Sequence, residues 1–144
     1  MHLYDRAFEE LEPTTLYAIL RLRTDVFVVE QACPYPEVDG RDVEPPTRHL
    51  WLGPAQEPAD PWSYLRILAD PDGVARIGRV CTAAARRGAG LSRRLIDAAL
   101  ERIGDRPCVL DAQSYLVEFY ESFGFICAGA EYVEDGIAHV PMRR

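Results

Sequence analysis

Apolar positions in the first quarter of the chain recur at three- and four-residue steps. Leu16, Ile19, Leu20, Val26 and Phe27 share one helical face with Arg23, predicting a first helix behind Pro13 and the cap candidates Thr14 and Thr15. The stretch "HLYDRAF" before it predicts a strand. From Cys33 to Pro46, "CPYPEVDGRDVEPP" is too rich in proline, glycine and acids for a regular element and predicts a long loop. "TRHLWL" and "SYLRIL" read as strands flanking the proline-containing "GPAQEPADP", and the turn "DPDG" at 70 to 73 joins "SYLRIL" to "VARIGRVCTA" as an antiparallel hairpin. A second helix follows, with Leu91, Leu95, Ala99 and Ile103 on one face, Ile96 and Leu100 beside them and Gly104 as its stop. "CVLDA" is the nearly continuous apolar run of a buried strand. Ser114 then caps a third helix holding Leu116, Phe119, Tyr120 and Phe123, which Gly124 ends. "AEYVEDGIAHVPM" forms two strands around Asp135 and Gly136. The order β, α, loop, β, β, β, α, β, α, β, β predicts an α/β (mixed α+β) fold. Its sheet is mixed and largely antiparallel, with helices on both faces, and one domain spans 1–144.

Composition narrows the function classes. At 144 residues with 48% hydrophobic and 27% charged residues, the chain suits a soluble globular protein with one core. No apolar run approaches the roughly 20 residues of a membrane span, and "MHLYDRAFEE" lacks a signal-peptide pattern, so the cytoplasm is the expected location and no membrane partner is expected. Cys33, Cys81, Cys108 and Cys127 lie far apart with no C-x-x-C pair, which predicts buried free thiols and no metal. The net charge of -7 argues against nucleic acid as a partner, although a local basic pocket can still take a small anion. Every one of the 16 cationic Lys/Arg positions is arginine.

Four of those arginines surround two glycines in "RRGAGLSRRLI", residues 86 to 96. A strand running into a glycine turn and then a helix leaves unpaired backbone N–H groups at the helix start, where a phosphate can sit. Gly88 and Gly90 allow close backbone approach, and Arg86, Arg87, Arg93 and Arg94 supply charge. The spacing is neither G-x-G-x-x-G nor G-x-x-x-x-G-K-[ST], which disfavours an NAD enzyme or a kinase.

The stretch resembles the pyrophosphate turn [QR]-x-x-G-x-[GA] of the GNAT superfamily of acyl-CoA-dependent N-acyltransferases. The matching residues are Arg87, Gly88, Ala89, Gly90, Leu91 and Ser92, with Ser92 departing from the usual glycine or alanine. The resemblance implies a GNAT fold whose sheet splays at the CoA site, and backbone groups around Cys81 and Thr82 that hold the pantetheine arm and polarise the thioester carbonyl. "VLDAQSYLVEFYESFGF" resembles the family's closing motif, in which an asparagine precedes a tyrosine by seven residues. Gln113 stands in the asparagine position and Tyr120 in that of the tyrosine. "LRTDVFVVEQACPYPEVDGRD", "RHL", "YESFGF" and "EDGIAH" together resemble the ElaA-type branch, from about residue 14 to the C-terminus. What this implies is an N-acetyltransferase using acetyl-CoA as co-substrate and a small-molecule or peptide amine as acceptor.

Acyl transfer to an amine needs a neutral amine, a polarised carbonyl and a proton for the departing thiolate. Tyr120 is the candidate donor to sulfur. Glu30, His49 and His139 are candidates for the proton acceptor, Glu30 preferred because it follows the first helix and borders the loop. In "PEVDGRD", a turn gathers Glu37, Asp39 and Asp42 around one cation, either the substrate ammonium or an internal arginine such as Arg23. The same region resembles acyl-homoserine-lactone synthases, also built on the GNAT fold, which makes Arg23, Glu37, Asp39 and Asp42 candidate site residues. A non-catalytic acyl-CoA-binding or partner-binding module is the alternative reading, kept open by Ser92 and Gln113. An exposed C-terminal hairpin also permits a homodimer by strand addition.

Overall fold

The computed structural model describes residues 1–144. Strands β1 (His2–Ala7), β2 (Arg48–Gly53), β3 (Ser63–Ala69) and β4 (Ala75–Thr82) form an antiparallel meander, each paired with the next. Their side chains alternate between faces. Leu50, Leu52, Leu65 and Ile67 join the larger core on one face, whereas Trp51 and Tyr64 join the smaller core on the other. Because both faces are covered, β2 and β3 are buried over nearly their whole length.

Helix α1 (Pro13–Arg23) covers the second face, placing Ile19 and Leu22 against Tyr4, Trp51, Tyr64 and Cys81. The predicted first helix spans two segments, because α1 continues as a π-helical segment, Thr24–Glu30. Helix α2 (Leu91–Ile103) covers the first face with Leu91, Leu95, Ile96, Ala99 and Ile103, the predicted stripe. Gly104 ends it with φ 65°, its N–H bonded to the Leu100 carbonyl. No helix is long and apolar enough to cross a membrane.

Beyond β4 the sheet opens. β4 pairs in parallel with β5 (Cys108–Gln113) only at Ala75–Cys108 and Arg76–Val109, so the rest of the β4 edge, toward Thr82, faces a gap. A register shift against β3 accompanies the split, and Arg79 takes φ 54° there. β5 then pairs antiparallel with β8 (Ile137–Arg143), which also carries β6 (Ile126–Cys127) and β7 (Tyr132–Glu134). Asp135 and Gly136 join β7 to β8 with φ 52° and 77°, the predicted tight turn. Helix α3 (Val117–Glu121) follows a 3-10 turn at Ser114–Leu116 and packs into the α2-side core through Tyr120.

Two expectations need correction. Ser114 opens the 3-10 turn instead of capping a helix, and its hydroxyl donates to Glu131. Cys127 is exposed, because β6 is a two-residue strand with both side chains toward solvent; the other three thiols are buried. β6 itself carries too short a pattern to read from the sequence.

Candidate active site

The gap between β4 and β5 widens into a cleft of about 940 Å³, bordered by the π-helical segment, the loop after it, the glycine turn, α3 and the β7–β8 hairpin. At one end lies the glycine turn. Gly88 and Gly90 have φ 85° and 72°, a backbone region costly for any residue with a Cβ. A Cβ at either would meet nothing within 4 Å, so conformation, not crowding, selects glycine. The first turn of α2 closes with Arg94 N–H to Gly90 O at 3.2 Å, leaving the amides of Leu91, Ser92 and Arg93 as free donors at the positive end of the helix. These are the groups that suit a pyrophosphate.

The arginines divide into distinct roles. Arg87 lies across the cleft mouth and engages Glu30 through two bonds, Nη1–Oε1 at 2.5 Å and Nη2–Oε2 at 2.6 Å, while its Nε donates to the Thr82 carbonyl. Arg86 stacks over Trp62 at 4.0 Å, and Arg93 stacks over Phe123 at 4.6 Å. Arg94 does not line the cleft, nor does Ala89. Ser92 is hydrogen-bonded to Thr82 at 2.8 Å, and Thr82 to Ser63 at 2.8 Å, so a chain of hydroxyls ties the α2 N-terminus to β4 and β3. A glycine or alanine at 92 would forgo that tie.

Tyr120 reaches the cleft from α3. It is only 6% exposed and packs edge-on against Phe119 and Phe125. Burial pushes its phenol well above the ordinary range, so it stays protonated at neutral pH. Cys81, also on the cleft wall, is pushed up to about 12 by burial and is a neutral thiol. Gln113 lines the cleft and exchanges long amide contacts with Gln31, at 3.4 and 3.5 Å.

The loop acids assemble around arginines of the protein itself. Arg23 bonds Glu37 at 2.6 Å and Asp42 at 2.7 Å; Arg66 bonds Asp39 at 2.6 Å and Asp42 at 3.0 Å; Arg79 reaches Glu37 at 3.0 Å. Burial raises the Asp42 and Asp39 carboxyls, but hydrogen bonds and charge from the arginines outweigh it and hold both below the usual range. Of the two alternatives for this loop, the internal ion-pair network is the one formed. Arg23, Glu37 and Asp42 are buried and do not line the cleft; Asp39 does.

Two candidates for the proton acceptor change standing. His49 is fully buried on the α1 face of β2 under the acidic loop, where Nδ1 meets the Tyr64 hydroxyl at 2.6 Å and Nε2 the Asp42 carbonyl at 3.0 Å. With both nitrogens engaged, and its pKa lowered by burial, it serves the network and does not line the cleft. Glu30 borders the cleft, but its hydrogen bonds to Arg87 lower its pKa, which makes it a weaker base. His139 lines the cleft. Arg66, Arg79 and Tyr35 also line it, and sequence reasoning missed all three. Arg66 had a signal, since a charged residue within the apolar run "SYLRIL" demands a buried partner; the bulge that turns Arg79 inward had none.

The sequence pattern of the acetyltransferase (GNAT) domain matches residues 49–144. The chain belongs to the GNAT family. A UPF0039 protein of Mycobacterium tuberculosis is 50% identical over 139 residues, covering 94% of this chain and 88% of the relative. Protein ElaA of Escherichia coli is 42% identical over 146 residues, covering 97% of this chain and 94% of ElaA. An acyl-CoA N-acyltransferase from Pseudomonas aeruginosa has a structure that superposes with TM-score 0.90 at 41% identity, over 99% of this chain and 98% of that one. The protein is thus a GNAT acyltransferase, and its sheet splits between β4 and β5, as the resemblance implied.

Proposed function

We propose that the protein transfers an acetyl or short acyl group from acetyl-CoA to a primary amine, by direct attack while both substrates are bound. The observation that carries this reading is the place of Tyr120, whose side chain lines the cleft at the sheet opening and whose phenol is neutral at pH 7. Pyrophosphate sits on the free amides of Leu91, Ser92 and Arg93, with Arg87 turning from Glu30 to meet it. The pantetheine arm runs along the unpaired β4 edge, in strand-like pairing with backbone around Cys81 and Thr82. That placement brings the thioester toward Tyr120, where N–H groups of β4 polarise its carbonyl. As the amine attacks and the tetrahedral intermediate collapses, Tyr120 gives its proton to the leaving sulfur.

The acceptor enters from the opposite mouth, past Tyr35, Asp39 and the β7–β8 hairpin. A net charge of -7 suits a cationic amine. The binding-module alternative loses one of its two supports, because Ser92 has a structural task in the hydroxyl chain. The lactone-synthase alternative rested on Arg23, Glu37, Asp39 and Asp42, which are occupied with one another and with Arg66.

Thiol release from acetyl-CoA across a panel of primary amines tests the proposal. The wild type releases CoA with at least one amine. Tyr120→Phe lowers turnover about 100-fold, the typical contribution of a positioned acid, and leaves acetyl-CoA affinity unchanged. Silence with every amine refutes the transferase reading; full turnover by the phenylalanine variant removes Tyr120 from it.

A further inference from the structure

Acyl transfer requires that the acceptor ammonium lose a proton, and the protein's own side chains differ sharply in readiness to take it. Glu30 is held by Arg87, Asp39 by Arg66 and Asp111 by Arg76 at 2.6 Å. His49 has both ring nitrogens engaged. Without an arginine partner on the cleft wall are Glu134 and Asp135 at the hairpin turn and one imidazole.

His139 lies on β8, opposite Gln113 of β5 and Tyr132 of β7. Its Nδ1 is 2.8 Å from the Ile137 carbonyl oxygen. A carbonyl only accepts, so Nδ1 must donate, and the neutral ring carries its proton there. Nε2 is then left with its lone pair and makes no hydrogen bond within the protein. The ring lies nearly parallel to that of Tyr132, at 5.6 Å and 21°, which fixes its plane. Backbone and neighbour together hold one tautomer in one orientation, on the side of β5 and β8 away from the α2 core.

From this we infer that His139 is the general base, its Nε2 taking the proton of the acceptor ammonium. This rests on the transferase reading above and assigns its missing group. In the step, His139 Nε2 removes one proton from R–NH3+. The freed nitrogen pair forms the C–N bond as the carbonyl π pair moves to oxygen. Collapse restores C=O and breaks C–S, and Tyr120 protonates the thiolate. The second nitrogen proton leaves to solvent, from which the phenolate recovers its own. The ring is left doubly protonated, both nitrogens then donating, and sheds that proton to water through the open mouth.

The charged and titratable groups around the ring are few. Tyr132 is stacked on it, and Asp111 and Glu134 flank it on β5 and β7. Cys33, from the loop, bonds the Asp135 carbonyl at 3.1 Å at the hairpin turn. Glu134 is exposed, lines the same cleft and engages no arginine, which makes it the competing base to test.

The test compares wild type, His139→Gln, His139→Gly and Glu134→Gln in thiol release between pH 5.5 and 9, with whichever primary amine is turned over. His139→Gln should lower kcat at pH 7 by tenfold or more, leave KM for acetyl-CoA unchanged and abolish the acid-side fall of kcat/KM. Added imidazole should restore part of the activity of His139→Gly, a rescue that a purely structural role would not give. Glu134→Gln should keep the acid-side fall of kcat/KM, whatever it does to KM for the amine. An unchanged profile in His139→Gln, or transfer of the acid limb to Glu134→Gln, overturns the assignment while the transferase reading stands. A wild type inactive with every amine overturns both. Nitrogen-15 NMR of the folded protein gives a readout independent of turnover: the Nδ1–H tautomer is expected, and the Nε2–H tautomer would refute the assignment even if a variant failed to fold.

Discussion

Replacing Asp42 by asparagine isolates what the buried network contributes. The carboxylate accepts from Arg23 at 2.7 Å and from Arg66 at 3.0 Å, both through Oδ1, with a side chain only 7% exposed. Asparagine keeps the shape but removes the charge, leaving Arg23 with Glu37 and Arg66 with Asp39. Breaking a buried pair by removing one partner costs about 3 to 5 kcal/mol. The lower end applies because each arginine keeps a second acid. For a chain of this size, about 3 kcal/mol corresponds to a fall in Tm of roughly 6 to 12 °C. Urea denaturation at pH 7 measures it directly. The same variant has a pH signature. Asp42 is held below its unfolded value, so its stabilisation is fully present above about pH 4. It is lost as pH falls through the folded value. Wild-type stability should therefore decline more steeply than that of Asp42→Asn below pH 4, and the two curves should converge. A variant within 1 kcal/mol of wild type at pH 7, with an unchanged acid slope, would refute the reasoning.

Three further outcomes follow from the site and the core. Arg87→Ala should weaken acetyl-CoA binding by calorimetry, by about tenfold for one charge-assisted phosphate contact; equal affinity would remove Arg87 from the pyrophosphate site. Glu30→Gln should act oppositely, raising affinity a few-fold by releasing Arg87 from its half-exposed partner, and a loss of affinity would show that Glu30 positions Arg87 instead of competing for it. Leu95→Ala removes a fully buried side chain from the centre of the α2 face and should cost about 2 to 5 kcal/mol in urea unfolding, with no change in m.

The elements were legible wherever periodicity or turn chemistry was strong. The stripe of α2, the "DPDG" hairpin and the Asp135–Gly136 turn each reflect a local rule that tertiary packing had no reason to override. The glycine turn was legible for the same reason, since positive φ at Gly88 and Gly90 is a local demand. What stayed hidden depends on contacts between distant segments. Whether Glu37 and Asp42 face a substrate or Arg23 is decided by how the loop folds over β3 and β4. His49 and His139 share the face away from α2, and only the packing of the Asp42 loop over β2 buries the first while the second stays open to the cleft. Neither is written in local spacing. The pairing of Glu30 with Arg87 spans 57 positions, and no pattern at either end announces it.

The π-helical run at Thr24–Glu30 has a consequence for how this cleft can vary. Such a run is an α-helix carrying a surplus residue, and each α-helical residue turns the chain by about 100°. Excising one position there would let the first helix run on straight while swinging Glu30 and Gln31 away from the coenzyme mouth, with the core contacts of Ile19 and Leu22 untouched. A single codon thus uncouples the rim of the pocket from the framework that carries it.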